Sequence, residues 1–309
     1  SMASTGSTVP SSPFISRDKM THSMPVMRTV HDLRTQVNAW RREGLRVGLV
    51  PTMGALHHGH LSLVEAIAQK VDRVIVSIFV NPTQFGEGED FDQYPRTEAE
   101  DCQKLAATST SVVFAPNASE MYPAGFASTV TVSGISDRFE GALRPGHFDG
   151  VATIVSKLLL QSLPDVAIFG EKDYQQLVVI RRIVTDLNIP VEIMGGKLIR
   201  EPDGLAASSR NAYLSPDQRQ VAGKFNLILE HLVEQASGGA DLRKLERDAI
   251  QSLLDAGFLA VDYVCVVDPD TLEPLDRVRD TARVIAVARL GGIRLLDNMA
   301  ISKTPTPAA

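Results

Sequence analysis

Pro51-Thr-Met-Gly-Ala-Leu-His57-His58-Gly59-His60 lies between a short apolar run, 45–50, and a helical pattern, 62–69. A buried strand that turns through glycine into a helix is the opening unit of an α/β sheet. His57, Gly59 and His60 form an H-x-G-H pattern where that helix begins. A helix N-terminus offers free N–H groups and partial positive charge to a phosphate. Gly59 lets a ligand approach the backbone closely. Histidines placed there can donate hydrogen bonds to phosphate oxygens and to charge that builds up as a phosphate group leaves. Two other readings stay open: the histidines could simply cap the helix, or could share a zinc ion. No carboxylate stands at metal-motif spacing to support the zinc.

The same alternation continues along the chain. Apolar runs at 73–80, 111–115, 166–169 and 191–194 are too short for helices and nearly continuous in hydrophobicity, as buried parallel strands are. Helical patterns at 62–69, 97–107, 151–162 and 174–187 lie between them. Ahead of all this, Thr29 with Asp32 opens a helix that runs to Arg42 and ends at Gly44. The pattern predicts a Rossmann-like, doubly wound parallel sheet, with ligands at the carboxyl ends of its strands. After Ile199 the character changes. Ser215-Pro216-Asp217 caps one long helix through Gln235, Asp241 starts another to Ala256, and 261–267 alternates like a strand. Leu290-Gly291-Gly292 between 283–288 and 293–296 signals a hairpin. The expected division is a disordered leader or tag at 1–23, a nucleotide-binding domain at 24–198, a smaller α+β lid domain at 199–302 and a disordered tail at 303–309.

Composition narrows the function classes. At 309 residues the chain is long enough for two domains, and its net charge of −6 argues against a nucleic-acid surface. Two cysteines, Cys102 and Cys265, cannot build a disulfide framework or a thiolate zinc site. No apolar run approaches the roughly 18 residues of a membrane span. The leader lacks the apolar core of a signal peptide, so a reducing, cytoplasmic location is expected.

Four further segments carry polar groups to strand ends. Phe169-Gly170-Glu171-Lys172-Asp173-Tyr174-Gln175-Gln176 puts a positive charge, Lys172, after a buried strand, and Gln176 in the next helix's first turn. Ile199 to Asn211 contains Ala207-Ser208-Ser209-Arg210, two hydroxyls and a guanidinium suited to phosphate. Asn81 and Gln84, in Val80-Asn81-Pro82-Thr83-Gln84-Phe85-Gly86, are neutral polar groups suited to a small hydroxy acid. Glu140-Gly-Ala-Leu-Arg144-Pro-Gly-His147-Phe is glycine-rich and leads into a helix. There is no G-x-x-x-x-G-K-[ST] loop, no dinucleotide fingerprint and no G-x-S-x-G elbow.

Taken in order, P-T-M-G-A-L-H-x-G-H, S-I-F-V-N-P-x-Q-F, Y-P-R-T, R-P-G-H-F, F-G-E-K-D-Y-Q-Q-L and D-G-L-A-x-S-S-R-N-x-Y-L make the chain, from Met24 to Ala300, resemble the pantothenate synthetase family. This family belongs to the nucleotidylyltransferases with the H-x-G-H motif. The resemblance implies an ATP-dependent ligase: pantoate attacks the α-phosphate, giving pantoyl adenylate and pyrophosphate, and the amine of β-alanine then displaces AMP. It further implies magnesium as cofactor and a homodimer. Carried over by motif, Met53, Gly54, His57, Gly59, His60, Gly170, Glu171, Lys172, Asp173, Ile199, Ala207, Ser208, Ser209 and Arg210 would hold ATP. His60 would be an acid-type catalyst with His57 as its partner on the phosphates, and Lys172 and Arg210 would stabilise the transferring charge. Gln84, Gln176 and Asn81 would hold pantoate or β-alanine, and Asp101 with Glu100 would hold the magnesium. His58 and Ala207 depart from the family's usual residues. A nucleotidyl transferase with no amine acceptor, or a non-catalytic nucleotide sensor, are the competing readings.

Overall fold

A computed structural model describes residues 23–304; the expectations for 1–22 and 305–309 lie outside them. Lys303 and Thr304, expected in a disordered tail, are instead tied by backbone N–H donation to Asp280 O and Ser237 O.

The strands are β1 (Val26–Met27), β2 (Val47–Thr52), β3 (Arg73–Ile78), β4 (Val112–Phe114), β5 (Val166–Gly170), β6 (Glu192–Gly196), β7 (Ala260–Val267), β8 (Thr281–Leu290) and β9 (Ile293–Ser302). The helices are α1 (Val30–Arg42), α2 (His58–Ala68), α3 (Glu98–Ala106), α4 (Ala118–Met121), α5 (Glu140–Leu143), α6 (His147–Ser162), α7 (Tyr174–Asp186), α8 (Pro216–Ala222), α9 (Phe225–Ser237) and α10 (Leu242–Ala256). Among the described residues no helix is long and apolar enough to cross a membrane.

The first six strands form one parallel sheet in the order β1-β4-β3-β2-β5-β6. Its interior strands are the apolar runs of the sequence, buried on both faces. Leu33, Val37 and Trp40 of α1 pack with α6 and α7 on one face, while Val64, Ile67 and Leu105 of α2 and α3 cover the other. Winding runs outward in both directions from β2, so the crevice between the carboxyl ends of β2 and β5 is the switch point where such sheets bind ligands.

Three local outcomes differ from the sequence reading. Pro51 does not end β2. Its missing N–H falls past the last β2–β5 pair, Leu49 with Ala167, and so costs no ladder bond there. Helix α2 begins at His58, four residues early, because His57 caps it. The single helix expected from Ser215 breaks at Gly223 into α8 and α9. A Cβ at Gly223 would sit 2.4 Å from the Asp203 carboxylate, so a larger residue there would push that side chain aside.

Strands β7-β8-β9 form a separate antiparallel sheet. Leu229, Leu232 and Ala236 of α9 and Ala249 and Leu253 of α10 pack on it, giving the smaller C-terminal domain its own core. A third cluster joins the two: Tyr174 and Val178 of α7 meet Val267, Leu272 and Ile285, with Phe139 and Tyr263 beside them.

Candidate active site

The turn after β2 is made by its backbone. Gly54 at φ +79 and Ala55 at φ +51 reverse the chain. Asp101, fully buried on α3, accepts from the N–H groups of Ala55 and Leu56, both at 2.9 Å, and from Thr97 Oγ1 at 3.2 Å. Lys104 Nζ, one turn on, donates to Leu56 O at 2.8 Å. The expectation that Asp101 and Glu100 ligate a metal is therefore corrected. The Asp101 carboxylate is committed to backbone donors beneath the turn, and Glu100 is exposed on α3 outside the cleft. Among the described residues no three His, Cys, Asp or Glu side chains gather as a metal site.

The two histidines hold each other. His57 Nδ1 accepts from Gly59 N at 3.0 Å, and His60 Nδ1 accepts from His57 N at 3.2 Å, a reciprocal capping box. An Nδ1 that accepts carries no proton, so each ring is a neutral imidazole with its N–H at Nε2. Desolvation pushes His60 down to about 3, with the neighbouring His57 next in effect; desolvation also lowers His57, followed by His58 and Lys172. The His60 ring thus stands as a neutral N–H donor in the free cleft.

Across the switch point, β5 ends at Gly170, Glu171, Lys172 and Asp173 form the turn after it, and Gln176 follows in the first turn of α7. Above them an arm leaves β6, closes through a bridge between Arg200 and Ala206 and an Ala207 N–H to Ile199 O bond of 2.8 Å, and enters a short helical turn at Ser209–Tyr213. Ser208 Oγ caps that turn by accepting from Arg210 N at 3.2 Å. These walls enclose a cleft of about 330 Å³. Met53, His57, Gly59, His60, Gly170, Glu171, Lys172, Asp173, Ile199, Ala207, Ser208, Ser209 and Arg210 line it together, as do Gln84 and Gln176. Gly54 does not; it lies behind the turn, where a Cβ would press on Asp101 Oδ2 at 3.0 Å.

Asn81 is also displaced from its expected role. It is fully buried, donates to Gln84 Oε1 and Gly150 O at 3.1 Å each, and accepts from Tyr122 Oη at 2.8 Å and Thr83 Oγ1 at 2.9 Å. No donor or acceptor is left for a substrate, so Asn81 aims Gln84. Gly150 permits this approach, since a Cβ there would meet Thr83 O at 2.4 Å.

Sequence reasoning assigned no role to several cleft residues. Arg144 is held by Glu89 through bonds of 2.7 and 3.1 Å, and His147 Nδ1 bonds Gln84 O at 2.9 Å. Arg294 of β9 reaches Glu140 of α5 in a two-pronged pair at 2.6 and 2.8 Å, bridging the domains. Asp297 and Asn298 of β9 complete the wall. Only the glycine-rich setting of Glu140, Arg144 and His147 marked any of them in the sequence; the β9 residues depend on pairings that span 97 to 154 positions.

Neutral imidazole donors at a helix N-terminus, facing a lysine and a Ser-Ser-Arg arm across the switch point, define an ATP-using enzyme of the H-x-G-H α/β class. Comparison with known proteins gives the family. A model of the pantoate-β-alanine ligase family matches residues 25–300. The pantothenate synthetase of Paramagnetospirillum magneticum is 54% identical over 91% of this chain and 99% of its own length. The crystal structure of pantothenate synthetase from Thermus thermophilus superposes with a TM-score of 0.83 at 46% identity, covering 89% of this chain and 99% of that one. A pantoate-β-alanine ligase from Francisella tularensis, complexed with β,γ-ATP and β-alanine, gives 0.75 at 32% identity, over 89% and 97%. The chain belongs to the pantoate–β-alanine ligase family, and its activity is the ATP-dependent ligation of pantoate to β-alanine.

Proposed function

We propose that the ligation runs in two steps within this one cleft. A pantoate carboxylate oxygen attacks the α-phosphorus of ATP; the P–O bond to the β-phosphate breaks, and pyrophosphate leaves. The β-alanine amine then attacks the acyl carbon of pantoyl adenylate, loses a proton and expels AMP, which keeps the pantoate oxygen. The observation that carries this reading is the paired, neutral histidine cap opposite Lys172. His57, His60 and Lys172 line one cleft, and in this reading their N–H groups and positive charge meet the phosphate charge as it moves. Donors that meet developing charge better than they meet ATP accelerate the first step.

His57, His60, Lys172 and Arg210 grip the phosphates. Met53, Gly59, Gly170 to Asp173, Ile199 and Ala207 to Ser209 enclose the nucleotide. Gln84, aimed by Asn81, and Gln176 take the pantoate hydroxyls and carboxylate. Magnesium enters on the ATP phosphates, completing its shell with water. The chain divides near Ile199, with the C-terminal part closing as a lid; it works as a cytoplasmic homodimer on small molecules.

The test is release of pyrophosphate and AMP from ATP and pantoate, with and without β-alanine. A pyrophosphate burst of about one per site without β-alanine, and steady AMP only with it, is expected of a bound intermediate. Steady pyrophosphate release indifferent to β-alanine would overturn the ligase chemistry in favour of another nucleotidyl transfer. No turnover would mean a nucleotide sensor.

A further inference from the structure

Asn298 lies in the middle of β9, opposite Ile285 of β8, and is 4% exposed. Its Nδ2 donates to two main-chain carbonyls of the other domain, Glu171 O at 2.8 Å and Lys172 O at 3.1 Å. Its Oδ1 accepts from Arg283 Nη1 at 2.7 Å. All three polar positions of the amide are therefore used. The reverse orientation would set oxygen against carbonyls and NH₂ against a guanidinium, so the network fixes which way the amide points. Arg283 is itself seated over the Tyr174 ring, 4.2 Å from its centre.

The neighbouring residue reaches the other wall. Asp297, also 4% exposed, takes Arg200 in a two-pronged pair at 2.9 Å on both oxygens, and accepts from Asn298 N at 2.7 Å. Arg200 in turn donates to Gly204 O at 2.9 Å, inside the arm that carries Ser208 to Arg210. Two successive residues of one C-terminal strand thus hold the Lys172 turn and the base of the Ser208–Arg210 arm, segments far apart in the sequence.

We infer that Asn298 and Asp297 are positioning residues, which register the Lys172 turn against the arm so that both cationic groups meet the same phosphates. This rests on the phosphate role proposed above for Lys172 and Arg210. Asn298 need not touch the nucleotide. It fixes the carbonyls flanking Lys172, while Asp297 fixes where the arm starts.

The experiment is a double-mutant cycle on the full chain, read as the pyrophosphate burst rate and the KM values. Asn298→Ala and Asn298→Asp both remove the donor to Glu171 and Lys172; only Asn298→Asp keeps an acceptor for Arg283. Each should slow the burst roughly tenfold, the worth of about one ordinary hydrogen bond, with KM for β-alanine unchanged; the thermal midpoint falls in both, since Asn298→Ala strands Arg283 and Asn298→Asp sets an oxygen against the two carbonyls. In a Lys172→Ala background the same changes should add less than about twofold, because the group they position is gone. Equal slowing in both backgrounds would overturn the inference, as would an effect seen in Asn298→Ala but absent in Asn298→Asp, which would place the whole role in anchoring Arg283. A Lys172→Ala enzyme with an undiminished burst would instead remove the phosphate role itself, and is recognised without reference to Asn298.

Discussion

The turn at 51–60 and the arm at 199–210 face each other over one cleft and are built in opposite ways. The turn is held from within its own layer. A buried carboxylate, Asp101, accepts from two successive backbone N–H groups, Lys104 binds the next carbonyl, and the rings of His57 and His60 accept from Gly59 N and His57 N. The arm is held from outside, by Asp297 of the distant β9 at its base and by an exposed Asp203–Arg219 pair further along. One wall is thus fixed by partners within its own layer, and the other by a strand that follows it by nearly a hundred residues.

Removing His60 should break the contrast at its strongest point. His60→Ala is expected to slow the pyrophosphate burst by about 10²–10³-fold, as loss of one transition-state donor does. A burst close to the wild-type rate would deny the turn its chemical role. Next comes the support beneath it. Asp101→Ala leaves two backbone N–H groups of the turn unpaired, costing about 2–4 kcal/mol of folding stability, and should lower ATP affinity with it; denaturant unfolding reads the first and ATP titration the second. A variant that kept wild-type magnesium dependence alongside this loss would agree with a structural carboxylate, whereas normal stability with a raised magnesium requirement would restore Asp101 as a ligand.

The histidines also give the turn a pH signature that the arm lacks. His60 titrates at about 3 in the folded chain and near 6.5 unfolded. Between these values the unfolded state binds the extra proton, so stability falls as pH drops through that window. The contribution is about 1–2 kcal/mol by pH 5, and none of it is felt above pH 7. His60→Asn should flatten that part of the stability curve; an unchanged slope would mean the ring is already protonated in the fold. The smallest effect belongs to the arm. Arg219 and Asp203 are about a third and two-fifths exposed, so Arg219→Ala should cost under about 1 kcal/mol. A larger loss would show the arm to be locked by its surface pair.

The same contrast explains what the sequence could convey. The parallel strands are legible because burial on both faces demands continuous apolar runs, and Thr29 and Asp241 announce their helices by capping chemistry. The turn is legible as a capped helix start at a strand end, since its donors are local. Strand β1 escapes notice because two residues carry no pattern. Asp101 and Asn81 are misread for a single reason. Residue type tells that a polar group exists, whereas its burial and its partners, which for Asn81 run from Thr83 and Gln84 beside it to Gly150, 69 residues on, decide whether it meets solvent, substrate or backbone. The Glu140–Arg294 pair and the Asp297–Asn298 clamp join residues 97 to 154 positions apart, beyond any periodicity.

The most direct test of the account is to follow the oxygen. Pantoate labelled with ¹⁸O in its carboxylate is turned over with ATP and β-alanine, and the AMP is weighed by mass spectrometry. Attack of that carboxylate on the α-phosphorus, followed by amine displacement at the acyl carbon, predicts one labelled oxygen in every AMP and none in pyrophosphate. Unlabelled AMP, with the label lost elsewhere, would contradict an acyl adenylate made in this cleft.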